Sequence, residues 1–503
     1  MPRSIPSNVP IQPRNEIEAR TTDWATVAIS SAICFLSSVQ FSIYFSSLWP
    51  YLLELDNNAS ERFFGYITAT YSLGMAIASP LFGWFSNRIG QTKPVTQLGL
   101  ILSVIKEAGT RESSQLTGNL LYMSLAFRLI EVGYTMLLAR FVLGMGGGII
   151  GILRCAAITS STQSDRSRVI SVNTGAFSLG LSTGPAIQLL FTPIGYPGIS
   201  LIGPLRMNIY TLPAIASAVI VAMFYKDSDV GIHRIDEKLE KEEHMRFYAL
   251  PKFDRIAALV CIFTRFAQMF LFTNMETIGS PLTMTMFAWD RKTAVFWNSV
   301  FDGGAAAISF GVYGSNAILN YGKRMNHRIW CIVGLMLLAL FHLLTYPWPF
   351  IEKKIIYQQQ DYLHNGTEPV GCRRSFDWCA YVPAINVYLY GISYAVLSGF
   401  AFALITINMN TVYSTVIGPR NQGTMQGLLI FSGSCARLCG PILIAELFTQ
   451  FGPGVPWLIE IAITVGCASL WLAFYRRLVP LKMNDKLSAG DEYRSKYGHV
   501  YKF

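Results

Sequence analysis

The sequence predicts an all-α membrane protein with twelve spanning helices arranged as two pseudo-symmetric halves of six. Three observations predict it. First, charged residues are 14% of the chain and hydrophobic residues 52%, whereas a soluble domain carries roughly 25% charged residues. Second, the apolar residues are gathered into blocks of the ~20-residue length that crosses a hydrocarbon core; residues 25–49 hold no charge at all. Third, a short pattern recurs. Residues 178–185 read SLGLSTGP and residues 434–441 read SCARLCGP, each in the fifth apolar block of its half. Such internal repeats are typical of transporter folds.

The elements follow in order. Residues 1–24 are a polar tail, too long and too mixed for a signal peptide, so the first block is expected to stay as a helix. The spans are expected at 25–49, 63–85, 94–127, 135–159, 169–192 and 207–225 in the half 25–225. Residues 226–253, containing DEKLEKEE, form a charged linker. The second half, 254–475, is expected to span at 254–280, 294–320, 329–346, 383–410, 422–449 and 455–475, with a long loop at 347–382. Residues 476–503 close the chain as a tail. The third span is irregular, because the polar insert 106–118 interrupts it. Lipid-exposed irregular backbone is not tolerated at mid-membrane. Either the insert reaches an aqueous edge, or the helix is rebuilt from residues 119–130 onward, or the insert is a gene-model or splice anomaly.

Lys and Arg orient the bundle. With the amino terminus in the cytosol, the cytosolic connections carry Arg88, Lys93, Arg166, Arg168, the linker, Lys323, Arg324, Arg328 and Arg420, and the tail adds Arg476 and Arg477. The opposite loops carry chiefly Arg373 and Arg374. The sequons at Asn58 and Asn365 fall in those opposite loops, where glycosylation occurs. Cys372 and Cys379 share a loop with Asn365, and a lumenal compartment permits a Cys372–Cys379 disulfide, two free thiols being the alternative. The net charge of +10 is read as this cytosolic excess rather than as a nucleic-acid surface. The tail segment Tyr497–Val500, YGHV, matches a tyrosine-based sorting pattern, too short to be specific.

Two signatures sharpen the class. Gly83–Pro94 reads GWFSNRIGQTKP and Arg140–Gly148 reads RFVLGMGGG. They resemble the second–third loop and fourth-helix signatures of the major facilitator superfamily. Gly83 and Gly90 bracket the loop, Arg88 is its expected latch, and Asn87 stands where the family usually has aspartate. Gly144 permits either close packing or movement, and the repeated pairs Gly184-Pro185 and Gly440-Pro441 free a backbone carbonyl and kink the helix. The blocks 39–52, 71–83, 275–289, 370–383, 412–423 and 432–441 narrow the resemblance to an endolysosomal branch of the family. The resemblance implies a twelve-helix major facilitator fold, a late endosomal or lysosomal membrane and chloride conductance.

Ionisable residues inside spans are costly and mark pathways. Arg140 and Arg154 lie on the fourth span, fourteen residues apart, close to four turns. Glu276 lies on the seventh. The resembled fold lines its central cavity with the first, fourth, seventh and tenth helices, which would bring these three together with Gln40 and Tyr44 of the first. Arginines would attract an anion, and a carboxylate could carry a proton. Plain alternatives are that Arg154 snorkels to the surface, that Arg140 serves helix packing and that Glu276 pairs with an arginine. Arg437 is read as an ion pair or gate, Asp302 as a proton site, and Arg265 has no assigned counterpart. The functions left open are a chloride pathway, a proton-coupled carrier of a small organic solute and a non-transporting receptor or scaffold. No catalytic triad, metal-ligand spacing or phosphate loop occurs, and GMGGG lacks the P-loop lysine. An enzyme and a cofactor are therefore not expected, and the partners are lipid, a small anion or solute, protons and the sorting machinery.

Overall fold

The computed structural model describes residues 21–42, 61–89, 95, 98, 132–162, 164–189, 199–202, 205–207, 252–357, 370–373, 376–418, 422–481, 492–494 and 500–502. Its first half contains α1 (Trp24–Ser42), α2 (Glu61–Ile89), α3 (Val132–Gly147), α4 (Ile150–Thr159) and α5 (Arg166–Leu189). Its second half contains α6 (Arg255–Phe287), α7 (Arg291–Leu319), α8 (His327–Leu344), α9 (Val387–Ser393), α10 (Gly399–Ile417), α11 (Gly423–Phe451) and α12 (Gly454–Ala473). Two hairpins accompany them: β1 (Ile199–Ile202) with β2 (Leu205–Met207), and β3 (Glu492–Arg494) with β4 (Val500–Lys502). Among the described residues, six spans are long and apolar enough to cross a membrane, including Met136–Thr159, Arg255–Phe287 and Val387–Ile417.

Two expected spans are really pairs of segments. The fourth breaks between α3 and α4, where Gly148 and Ile149 donate to Met145 and Gly146 three residues back. Arg140 and Arg154 therefore stand on separate segments, α3 and α4. The tenth passes from α9 to α10 through a π-helical turn, Tyr394–Ser398; such bulges are rare and concentrate at functional places. The sixth span was expected from residue 207, but Met207 lies in β2. Ile199 and Ile202 favour a strand and the Gly203-Pro204 pair favours a turn after it. The remainder of that span, almost all of the third span with its insert, and the linker lie outside the described residues.

Side-chain capping fixes the starts of three second-half helices, α6, α8 and α9. The Asp254 carboxylate accepts from the Ile256 and Ala257 amides and from Arg477 Nε at 2.7 Å, joining the first turn of α6 to the chain beyond α12. Asn326 and Asn386 cap α8 and α9. At the far end of the bundle Cys372 and Cys379 are disulfide-bonded. Beside them Trp378 is fully buried against Phe448 and donates to the Thr449 carbonyl. Gly452, which ends α11 at φ +69°, leaves room for that indole, since a Cβ there would lie 2.6 Å from it.

In each half the fifth expected span packs along the first: α5 along α1, and α11 along α6. The halves meet at the end where α1 and α6 begin. There Gly83 of α2 faces the Gly423 carbonyl and Gly427 of α11 faces the Ser79 carbonyl, so backbones touch without side chains between them. Small residues at a spacing of four on both helices permit this approach. Asn87 Nδ2 donates to Thr424 Oγ1 at 2.8 Å. On the other flank Asn316 of α7 donates to Ser167 and Ser171 of α5, and Arg168 donates to the Ala317 carbonyl. Asp165 accepts from Thr22 and Asn320 and pairs with Lys323 at 3.3 Å. Burial alone would raise the Asp165 pKa, but the hydrogen bonds from Thr22, Asn320 and Lys323 outweigh it and hold the carboxyl below its ordinary value.

A candidate anion cavity between the halves

A stripe on α6 builds the site. Arg265, Met269, Phe272 and Glu276 are four, three and four residues apart in succession, so they lie on one face of the helix. That face looks toward the first half. Arg437 of α11 lies over Phe272 at 5.8 Å and over Phe41 of α1 at 5.9 Å. Phe41 in turn packs on Tyr71 of α2, ring centroids 4.4 Å apart, and Tyr71 feels the charges of Arg437 and Arg140. Glu276 interacts electrostatically with Arg437 and Asp302. Its side chain is exposed.

One tier closer to the linker, Arg154 of α4 lies among Cys34 of α1 and Tyr313 of α7, and its charge reaches Arg265. Gly433 of α11 makes room for Arg265, because a Cβ there would lie 3.3 Å from Arg265 Nε. Arg265 donates to Gln268 Oε1 at 3.0 Å, and Gln268 donates to Thr406 of α10 at 2.6 Å. Four arginines from α3, α4, α6 and α11 thus occupy two tiers along the interface.

Part of the hydrogen-bond capacity of three of them is unspent. Arg140 is 2% exposed and Arg154 5%. The Nε of Arg140, the Nε and Nη1 of Arg154 and the Nε of Arg265 are buried without an acceptor. Among the described residues none of the four forms an ion pair with a carboxylate. A buried guanidinium left unpaired costs several kcal/mol. An anion would supply both the missing acceptors and the missing charge.

The other expected residues fall as follows. Arg154 is buried and does not extend to the surface. Asp302 is accessible and accepts from Tyr394 on the π turn at 2.5 Å. Arg88 stacks over Trp84 of its own helix at 5.2 Å; among the described residues the contact across the halves at this end of α2 is made by Gly83 and Asn87. Gly144 is a packing glycine, its missing Cβ admitting the Tyr71 carbonyl of α2. Gly184 and Pro185 lie within α5, and Gly440 and Pro441 within α11. Proline at 441 leaves the carbonyl of residue 437 without its helical donor. Gln40 belongs to α1, but its side chain, together with Tyr44, Asn58, Gly90 and Asn365, lies outside the described residues. Arg265 went unassigned in the sequence, although its spacing from Phe272 and Glu276 already placed it on their face.

Comparison with known proteins agrees with this architecture. A family model described as Major Facilitator Superfamily matches residues 31–357. The Xenopus laevis protein named Major facilitator superfamily domain-containing protein 8 is 30% identical over 502 residues, covering 93% of this chain and 94% of that one. The human organic anion transporter MFSD10 (TETRAN) superposes with a TM-score of 0.59 at 16% identity, over 89% of this chain and 99% of that one. A bacterial homologue of the iron transporter ferroportin, in an outward-facing state, gives 0.62 at 9% identity, over 90% and 99%. At such identities the two structures establish the fold alone.

Proposed function

Since the chain belongs to the major facilitator superfamily and is a multi-pass membrane transporter, we propose that it carries a small anion, chloride foremost, across an endolysosomal membrane. The observation that carries this reading is the set of buried guanidinium nitrogens without acceptors: Nε of Arg140, Nε and Nη1 of Arg154 and Nε of Arg265. Arginine donors in a partly dehydrated site replace the hydration shell of an anion and repel cations. Arg437, beside the proline-freed turn of α11, is the gate between the tiers, and Glu276 and Asp302 tune the local positive field. Chloride and the endolysosomal membrane are the expectations raised by the sequence resemblance. The termini then lie in the cytosol, and the Cys372–Cys379 loop, with glycosylated Asn365, lies in the lumen.

A second reading is an alternating-access carrier that exchanges protons for an organic anion. It is favoured by Glu276 and Asp302, which keep accessible surface within electrostatic reach of each other. Recordings from enlarged endolysosomes separate the two. A channel gives anion currents far above carrier turnover, and saturable flux with little current supports the carrier. Flux of cations but not of anions in purified, reconstituted protein contradicts both.

A further inference from the structure

A groove lies away from the cavity between the halves. α8 and α12 pack side by side, and their other main partners, α10 and α6, belong to the second half. Where α8 begins and α12 ends, the two helices part around a space of about 550 Å³, lined by Ile329, Ile332, Val333, Leu472, Tyr475 and Arg476.

Helical spacing sets its apolar wall. Ile332 and Val333 follow Ile329 by three and four residues on α8, so all three share one face. On α12 the exposed Leu458, Val465 and Leu472 recur every seven residues. Ile329 is 48% exposed and Leu472 62%. Side chains this apolar on the outside of a spanning bundle meet lipid tails, which are as apolar as leucine. Trp330, in the first turn of α8, is also exposed; tryptophans of this kind mark the level of the lipid headgroups.

The rim has the opposite chemistry. Arg476 borders the groove, and among the described residues its guanidinium has no partner. Its neighbour Arg477 is neutralised by Asp254, at 2.7 and 3.3 Å. Arg328 lies over the Tyr475 ring at 4.1 Å and donates to the Tyr475 carbonyl at 2.9 Å. The Tyr475 hydroxyl accepts from Asn326 at 2.9 Å. These contacts fix Tyr475 and Arg328 as one corner of the groove without neutralising the arginine. Among the described residues no carboxylate pairs with Arg328 or Arg476. A hydrocarbon chain alone has no use for the arginines, and a free inorganic anion has none for the isoleucine and leucine wall. Only a molecule with both parts matches both, and basic pockets between spanning helices hold such headgroups.

We propose that the groove between α8 and α12 binds an anionic phospholipid of the leaflet at the end where α6 begins. Its phosphate sits at Arg476 and Arg328, and an acyl chain runs along Ile329, Ile332, Val333 and Leu472. The site stands whatever solute passes between the halves.

Lipid retention by the purified full-length protein in detergent tests it. Protein is equilibrated with equimolar phosphatidylserine and phosphatidylcholine of identical acyl chains, and native mass spectrometry counts the lipid that stays bound. We expect the wild type to prefer phosphatidylserine by about fivefold or more, the contribution of one basic residue at an anionic surface. Arg476→Gln should bring the two lipids close to parity. Leu472→Trp fills the groove from an exposed position, so the fold is spared, and should lower phosphatidylserine retention by a similar factor. Arg88→Gln removes a basic residue of α2 instead and should leave the preference unchanged. Inorganic phosphate separates a headgroup from a free anion: the melting temperature should rise with phosphatidylserine and not with phosphate at equal concentration. Equal retention of the two lipids by the wild type, equal loss in R476Q and R88Q, retention unaltered in R476Q or L472W, or phosphate as effective as the lipid overturns the site.

Discussion

Gly83→Ala tests whether the α2–α11 crossing governs closure of the two halves. The added Cβ would lie 2.3 Å from the Gly423 carbonyl oxygen, whereas ordinary contact begins near 3.4 Å. The opposing atoms are backbone, so no side chain can swing aside. The helices must separate by about 1 Å where the halves touch. Overpacking of this kind costs roughly 1–3 kcal/mol. Alanine also favours the helix over glycine by about 1 kcal/mol, but that gain is the same whether the halves are closed or apart. The equilibrium between those states therefore shifts by roughly 5- to 150-fold. Closure can be read by disulfide trapping of Asn87→Cys with Thr424→Cys, whose wild-type side chains meet at 2.8 Å. The expected result is slower trapping by that factor when Gly83→Ala is added. Gly65→Ala, on the same helix with nothing within 4 Å of its Cβ, is the matched control and should leave trapping unchanged. Equal trapping in the Gly83 and Gly65 variants would falsify the view that this backbone contact sets closure.

Three further expectations concern stability and the site. Trp378→Ala removes a fully buried indole from between Phe376 and Phe448 and should cost about 3–5 kcal/mol; a melting temperature unchanged in detergent would show that this loop does not brace α11. Asp165 has a depressed pKa, so the stability it contributes is present above its ordinary value of 3.8 and is lost as pH falls through its lower folded value. Melting curves of Asp165→Asn and wild type should therefore differ by a constant offset from pH 7 to 5, and convergence within that window would contradict the assignment. Asp254→Ala removes the N-cap of α6 together with its bond to Arg477; the cap alone contributes about 1 kcal/mol, and an unaltered melt would show that α6 starts without it.

The spans were legible where burial in lipid or core demanded unbroken apolar runs. α8, α11 and α12 begin and end near their expected limits for that reason, whereas α6 begins near its limit but runs on to Phe287, past the expected end at 280. α2, α5 and α7 carry more polar residues because Ser167, Ser171 and Asn316 bond one half to the other, and such contacts dilute hydropathy without revealing their partners. The break between α3 and α4 was hidden, since glycines at 146–148 serve equally for close packing and for a turn. The cavity was legible in part: single arginines inside spans announce themselves, but their shared lack of acceptors emerges only when helices from both halves are assembled. Arg265 could have been found from its helical spacing. Arg328 and Arg476 read as ordinary basic flanks of their spans, yet the groove they border depends on α8 and α12 lying side by side, which no local pattern encodes.

The most direct measurement is anion flux through purified protein in liposomes, comparing wild type with Arg154→Ala and Arg154→Lys. An anion held by guanidinium donors predicts flux in the wild type, at least a tenfold loss in R154A and only partial recovery in R154K, because lysine restores the charge but not the planar set of donors. Equal flux in all three proteins, or flux of cations alone, would contradict an arginine-lined anion pathway.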